Sequence, residues 1–389
     1  MSGWGDANGP DLEGAGRALD LLSFAPSSGG VVRREAPEGP PSVHTGGTTM
    51  NRSDLERVAR AMVAKGRGIL AADESTSTIK KRFDGIKLES TEEQRRTYRE
   101  MLFTAPGAQE FISGVILYDE TIHQGTRDKT PFPAYLAQHG MIPGIKVDTG
   151  AKPLAGFPGE TITEGLDGLR ERLGEYYKLG ARFAKWRAVI DIADGIPSRF
   201  AIAANAHALA RYAALCQETE IVPIVEPEVL MDGSHGIERC EEVTSQVLQT
   251  VFDHLYAHRI YLEGMVLKPN MVISGKKASN RASPEQVAEA TVRCLKRHVP
   301  SSVPGIAFLS GGQSPTEATL HLSLMNQIGG LPWPLTFSYG RALQDTALKG
   351  WGGQPTNFGA GQKEFLKRAK LNGLATTGRY NAGLESQAA

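Results

Sequence analysis

Eight short β-rich runs separated by amphipathic stretches constrain the fold of this chain more than any other feature. They occupy residues 68–73 (GILAAD), 113–119 (SGVILYD), 142–148 (IPGIKVD), 181–190 (ARFAKWRAVI), 221–228 (IVPIVEPE), 262–270 (LEGMVLKPN), 306–312 (IAFLSGG) and 335–342 (LTFSYGRA). The intervals between them accommodate one helix and its loops per crossover, as parallel strands require. Eight such steps in roughly 300 residues is the number of a closed (β/α)8 barrel, whereas a doubly wound sheet would stop nearer six strands. The expected class is therefore α/β, a TIM barrel.

Helix-start chemistry punctuates the pattern. Ser53 with Glu56, Ser90 with Glu93, Ser283-Pro284 with Gln286, and Ser314 with Glu317 all have the capping-box form, and residues 362–374 read as one more helix. Residues 1–50 differ in kind. They are rich in Gly, Pro and Ser and predict a disordered extension, followed by a barrel over 51–375 and a Gly-rich flexible tail over 376–389. Arg17, Arg33 and Arg34 raise the alternative of an organellar targeting segment. Asp6, Asp11, Glu13, Asp20, Glu35 and Glu38, with no apolar core segment, count against it, so a cytoplasmic location is expected. Met50, just before the first helical pattern, is a possible alternative start.

Composition excludes several function classes. The 389 residues carry 43 basic and 43 acidic side chains, which leaves no cationic excess for nucleic acid or for an anionic membrane surface. No run approaches the roughly 18 apolar residues of a membrane span. Cys216, Cys240 and Cys294 are odd in number and widely spaced, so neither a disulfide framework nor a thiolate zinc site is expected. His254 and His258 lie four apart but lack the Glu of HExxH and read as a helix-surface or partly buried pair; His235, in a Gly-rich loop, is the histidine to watch. No metal and no cofactor are expected at the active site.

In a barrel of this kind chemistry gathers where strands end, at the C-terminal face. The eight runs end in Asp73, Asp119/Glu120, Lys146 with Asp148, Lys185 with Arg187, Glu226 with Glu228, Lys268, Ser310, and Ser338 with Arg341. Residues two apart in a strand share a face, so each pair can aim inward together. Pro227 and Pro269 are expected to mark where their strands leave the sheet, presenting Glu226 and Lys268 at adjacent mouths. Lys268 has two readings. At an ordinary pKa only roughly 0.04% of a lysine is free amine at pH 7; burial beside Lys146 and Lys185 would lower that pKa and make it a nucleophile toward carbonyls. Alternatively, it pairs with Glu226 as a structural rim bridge. The loops beginning Ser310-Gly311-Gly312 and Ser338-Tyr339-Gly340-Arg341 follow runs seven and eight, where barrels of this type commonly hold phosphate.

Seven blocks in order carry a family resemblance: GRGILAADEST (66–76), GIKVD (144–148), ARFAKWR (181–187), IVPIVEPE (221–228), LEGMVLKPN (262–270), FLSGGQS (308–314) and FSYGRAL (337–343). Through them the chain resembles the class I, Schiff-base-forming fructose-bisphosphate aldolases over about residues 51–380. The resemblance implies a metal-independent lyase of glycolysis and gluconeogenesis that reversibly cleaves fructose 1,6-bisphosphate to dihydroxyacetone phosphate and glyceraldehyde 3-phosphate, as a cytoplasmic homotetramer. By the same resemblance Lys268 forms the Schiff base at C2, Glu226 accepts the proton with Glu228 supporting its charge, and Lys185 and Asp73 flank the C3–C4 bond. Ser310, Gly311, Gly312, Ser338, Gly340 and Arg341 hold one phosphate. Ser75, Thr78, Lys81, Arg82, Lys146 and Arg187 align with the remaining substrate contacts.

The sequence departs from the family in three places. Many members end in a tyrosine that serves proton transfer at C3, whereas this chain ends Gln387-Ala388-Ala389, with Tyr380 nine residues earlier, which implies slower turnover or weaker discrimination against monophosphates. Ser77 replaces a common Gly and Val266 a common Leu. The 50-residue extension has no counterpart in the common cytosolic form. Two other function classes remain open: a sugar-phosphate-binding scaffold whose chemistry has weakened, and an unrelated Schiff-base barrel acting on another phospho-sugar.

Overall fold

The computed structural model describes residues 50–387, so the extension expected over residues 1–50 lies, apart from Met50, outside the described residues. Ten strands form: β1 (Gly68–Ala71), β2 (Ile112–Leu117), β3 (Ile142–Lys146), β4 (Gly150–Pro153), β5 (Thr161–Glu164), β6 (Phe183–Ile190), β7 (Val222–Val229), β8 (Val266–Leu267), β9 (Ile306–Phe308) and β10 (Leu335–Tyr339). Eight of them close an all-parallel barrel in the order β1-β10-β9-β8-β7-β6-β3-β2, with helices between successive strands. The TIM barrel read from the eight runs is the observed fold.

Strand alternation sorts the apolar side chains into two cores. Ile69, Ile116, Phe183, Val222, Ile224, Val266 and Ala307 fill the barrel, plugged from below by Leu55, Val58 and Met62 of the helix Arg52–Met62 and by Val63 at its C-cap. Their sequence neighbours Leu70, Val115, Ala184, Val225 and Leu267 point outward into the helical layer. The ring of Phe183 occupies the space that a side chain on β2 or β3 would need. A Cβ on Gly144 would lie 2.2 Å from its Cε2, and one on Gly114 would lie 2.9 Å from its Cε1.

Several local expectations shift. The first helix is capped by Asn51, whose side chain accepts from the Asp54 N–H, and not by Ser53; the third, Glu92–Phe103, is capped by Thr91 and not by Ser90. The capping boxes at Ser283/Gln286 and Ser314/Glu317 form as read. The closing helix spans Phe358–Ala375, longer than 362–374. β7 does not end at Pro227: it pairs with β6 as far as Ile190 opposite Val229. The reason lies in the short β8. Val225 O accepts the Lys268 N–H, so Pro227, two residues on, faces the side where β8 has already stopped, and its missing N–H removes no ladder bond. The β4–β5 hairpin is an antiparallel insertion after β3, anchored to β6 by Thr161 and Thr163 hydroxyls donating to Val189 O and Arg187 O.

The segment expected to be a flexible tail is packed through Glu385. Tyr380 is buried, its hydroxyl donates to Glu385 Oε1 at 2.7 Å, Arg368 pairs with the same carboxylate at 2.5 Å, and residues Leu384–Gln387 form a helical turn. Among the described residues all three cysteines are free and buried, and no helix is long and apolar enough to cross a membrane.

Candidate active site

A cavity of about 550 Å³ opens at the C-terminal ends of the barrel strands. Its walls follow from strand parity. Asp73 continues the inward set of Ile69 and Ala71, Lys185 and Arg187 that of Phe183, Glu226 and Glu228 that of Val222 and Ile224, and Lys268 that of Val266. On these four strands each inward position is apolar until the chain reaches the mouth, where it becomes charged.

Lys268 and Lys185 are both buried and share one carboxylate. Lys268 Nζ lies 3.2 Å from Glu226 Oε1, and Lys185 Nζ lies 3.3 Å from Glu226 Oε2. Lys185 Nζ also contacts Asp73 Oδ2 at 2.8 Å and Asp148 Oδ2 at 4.0 Å, and Lys146 Nζ pairs with Asp148 Oδ1 at 3.0 Å. Arg187 pairs with Glu228 on the neighbouring strand. Burial alone would lower the Lys185 pKa, but Asp73, Glu226 and Asp148 outweigh it and raise the ammonium above its ordinary range. Burial would likewise raise Asp73, yet Lys185, Lys268 and Lys146 hold it well below the usual carboxylate range. Lys185 is thus held as a cation, and Asp73 as an anion, in the wall of the cavity.

The rim supplies anion-binding groups. Ser75 caps the helix Thr76–Asp84, whose first turns carry Thr78, Lys81 and Arg82 to one side of the cavity. Opposite, β9 runs into Ser310 and Gly311, and β10 into Ser338, with Gly340 capping the helix that begins at Arg341. The Ser338 hydroxyl is buried with no partner of its own. Gly312 has φ +87°, a left-handed conformation that favours glycine, and lies between the side-chain ends of Lys276 and Arg341.

Of the residues expected at the site, Asp73, Ser75, Thr78, Lys81, Arg82, Lys146, Lys185, Arg187, Glu226, Glu228, Lys268, Ser310, Gly311, Ser338, Gly340 and Arg341 line the cavity, and Gly312 sits just behind its wall. Asp119 and Glu120 do not join it. β2 ends at Leu117, and these two fall in a short helix where Asp119 accepts from Tyr176 and Glu120 pairs with Arg95. His235 lies outside it as well. Glu74, Gly150 and Ala151 were missed. Glu74 is buried between Arg82 (2.6 Å) and Arg99 (2.9 Å), and the adjacent acids of AADES were its only sequence signal. Tyr380, held by Glu385, is not among the cavity residues.

The comparisons agree with this geometry. The family model for class-I fructose-bisphosphate aldolase matches residues 54–389. The chain is 60% identical to a probable class 1 fructose-bisphosphate aldolase of Xanthomonas campestris over 85% of its own length and 99% of the relative's. It is 55% identical to cytosolic fructose-bisphosphate aldolase 4 of Arabidopsis thaliana, over 81% and 80%. A crystal structure of fructose-bisphosphate aldolase from Plasmodium falciparum superposes with a TM-score of 0.84 at 49% identity, covering 85% of this chain and 96% of that one. A closed eightfold barrel, a buried lysine pair at its mouth and a family model spanning all of it give one reading: the chain belongs to the class I fructose-bisphosphate aldolases, metal-independent lyases.

Proposed function

We propose that Lys268 is the Schiff-base nucleophile of the aldol cleavage. The observation that carries this is its buried amine 3.2 Å from a carboxylate at the strand ends, inside a cavity with anion-binding groups on both flanks. The free amine attacks C2 of the open-chain ketose, and loss of water leaves an iminium. Asp73 accepts the C4 hydroxyl proton as the C3–C4 bond breaks. The bonding electron pair moves toward the iminium and is stored as an enamine, and the aldehyde phosphate departs. Protonation at C3 and hydrolysis of the regenerated iminium release the ketone phosphate and free Lys268.

Glu226, bridging Lys268 and Lys185, transfers protons as water is lost and regained, with Glu228 and Arg187 holding its surroundings polar. Lys185 stabilises charge as the C4 alkoxide develops. Ser310, Gly311, Gly312, Ser338, Gly340 and Arg341 hold one phosphate; Ser75, Thr78, Lys81, Arg82 and Lys146 serve the rest of the substrate. Borohydride added with dihydroxyacetone phosphate is expected to label Lys268 irreversibly. Unchanged labelling of Lys268→Ala would overturn the assignment, and substrate binding without EDTA-insensitive cleavage would favour the scaffold reading.

The assembly follows the same reading: a homotetramer, expected to elute as four chains in size-exclusion chromatography. A cytoplasmic location accords with relatives named as cytosolic aldolases, and fractionation of the source cells tests it.

A further inference from the structure

Away from the barrel mouth, three histidines converge on the outer helical layer. His207 projects from the helix Arg199–Glu218, and His254 and His258 come from the C-terminal end of the adjoining helix Ile237–Ala257, His258 being its C-cap. Ring centroids of His207 stand 5.8 Å from His254 and 5.0 Å from His258, with 6.4 Å between the latter two. One ring nitrogen from each lies within 4.8 Å of those of the other two. We infer that His207, His254 and His258 form a divalent transition-metal site of the zinc class, separate from the aldol chemistry.

Three features carry the inference. First, residues four apart on a helix share a face, so His254 and His258 offer a two-toothed ligand, and His207 from the neighbouring helix supplies the third imidazole. Second, one tautomer is already set. His258 Nδ1 lies 2.9 Å from the His254 carbonyl oxygen, which can only accept, so Nδ1 carries the proton and Nε2 presents a lone pair outward. Ligating histidines are commonly oriented by such a hydrogen bond from the other ring nitrogen. Third, the site is open. His207 is exposed and its partners half-buried, which leaves the fourth position to water and lets the rings rotate. Nitrogens on a tetrahedral zinc with bonds of about 2.0–2.1 Å stand roughly 3.3 Å apart, so side-chain rotation has at most about 1.5 Å to close. Arg211, one turn along from His207, opposes a cation electrostatically; imidazoles, not charge, make this site.

The ion would clamp the helix that follows β6 to the helix that follows β7, the strands carrying Lys185 and Glu226. The full chain, stripped with EDTA, is titrated with Zn²⁺ by calorimetry, and its thermal unfolding is followed with and without the ion. One Zn²⁺ per chain is expected in the micromolar range or tighter, with a rise in Tm of a few degrees. His207→Ala and His258→Ala should each weaken binding by about tenfold or more and abolish the Tm rise. Cleavage activity, unchanged in both variants, reports that they are folded. No uptake by the native chain, or equal affinity in His207→Ala, would overturn the assignment, the second result placing the ion at the cysteines or the cavity carboxylates.

Discussion

His321 braces the loop that follows β9, and its burial makes a quantitative claim about acid stability. The residue is 4% exposed on the helix Pro315–Ile328. Its Nδ1 hydrogen-bonds Gln313 Oε1 at 2.6 Å, and Gln313 Nε2 donates to Ser310 O at 3.0 Å, which ties the helix to the loop that follows β9. Burial, reinforced by Arg281 and partly offset by Glu317 and Glu285, presses the imidazole down to about 4 from its ordinary 6.5. Above the unfolded value both states hold a neutral ring, and there is no penalty. As pH falls through the window between 6.5 and 4, the unfolded chain gains a proton that the folded chain refuses, so stability is lost. With those two values, the loss between pH 7 and pH 5 is about 2 kcal/mol from this one side chain. His321→Gln keeps a donor for Gln313 and removes the titration. Urea denaturation of both proteins at the two pH values should show the native chain losing about 2 kcal/mol more than the variant. Carboxylates common to both cancel in that difference of differences. Equal losses would refute the reasoning, because they would mean that the ring is already solvated or already charged at neutral pH.

Other perturbations probe the cavity and the scaffold beneath it. Glu226→Gln should lower kcat by on the order of 10²–10⁴ with the fold intact, since it removes the carboxylate that both buried lysines contact; a rim bridge alone would leave steady-state turnover nearly unchanged. Arg341→Ala should cut kcat/KM for the bisphosphate by about tenfold or more through lost charge-assisted hydrogen bonds to phosphate, and a mutant with native kcat/KM would remove Arg341 from the site. Gly144→Ala forces a methyl to 2.2 Å from the Phe183 ring and should cost about 3 kcal/mol or more, read as a drop in Tm that Phe183→Leu partly restores.

Parity explains what could be read from the sequence. In 181–187, Phe183, Lys185 and Arg187 share one face and Trp186 the other, so locating the strand fixed which side chains entered the barrel. The same logic placed Asp73, Glu226, Glu228, Lys268 and Ser338. It could not place Glu74, which lies beyond the end of β1 and is held by Arg82 and by Arg99 from the helix Glu92–Phe103. Helix ends were legible only to within a few residues. Ser90 and Thr91 both begin a plausible cap, and the choice was decided by where Tyr98, Met101 and Leu102 had to pack. The β4–β5 hairpin was missed because GAKP and TITE are short, polar and mostly solvent-facing, with no apolar run to announce them. Pro227 lies within β7 and does not end it, because the early end of the neighbouring β8 frees that edge.

The zero net charge of the chain hides a cationic excess within its cavity. Lys81, Arg82, Lys146, Lys185, Arg187, Lys268 and Arg341 face Asp73, Glu74, Asp148, Glu226 and Glu228. The central cations are matched: Lys268 and Lys185 with Glu226, Lys185 with Asp73, Lys146 with Asp148, Arg187 with Glu228, and Arg82 with Glu74. Lys81 and Arg341, among the described residues, make no ion pair, and both are exposed. Pairing is obligatory at the centre, because a buried charge without a partner is costly. At the rim water screens a lone cation, and it stays available to a dianion. The arrangement therefore separates two tasks. On the proposed function, matched charges around Lys268 would set the protonation states on which bond cleavage depends, and unmatched charges at opposite ends would bind the groups that hold the substrate in place. A neutral sugar of the same length would lose the end contacts and leave the centre untouched, so its deficit should fall on binding and on the geometry of attack rather than on the acidity of any central group.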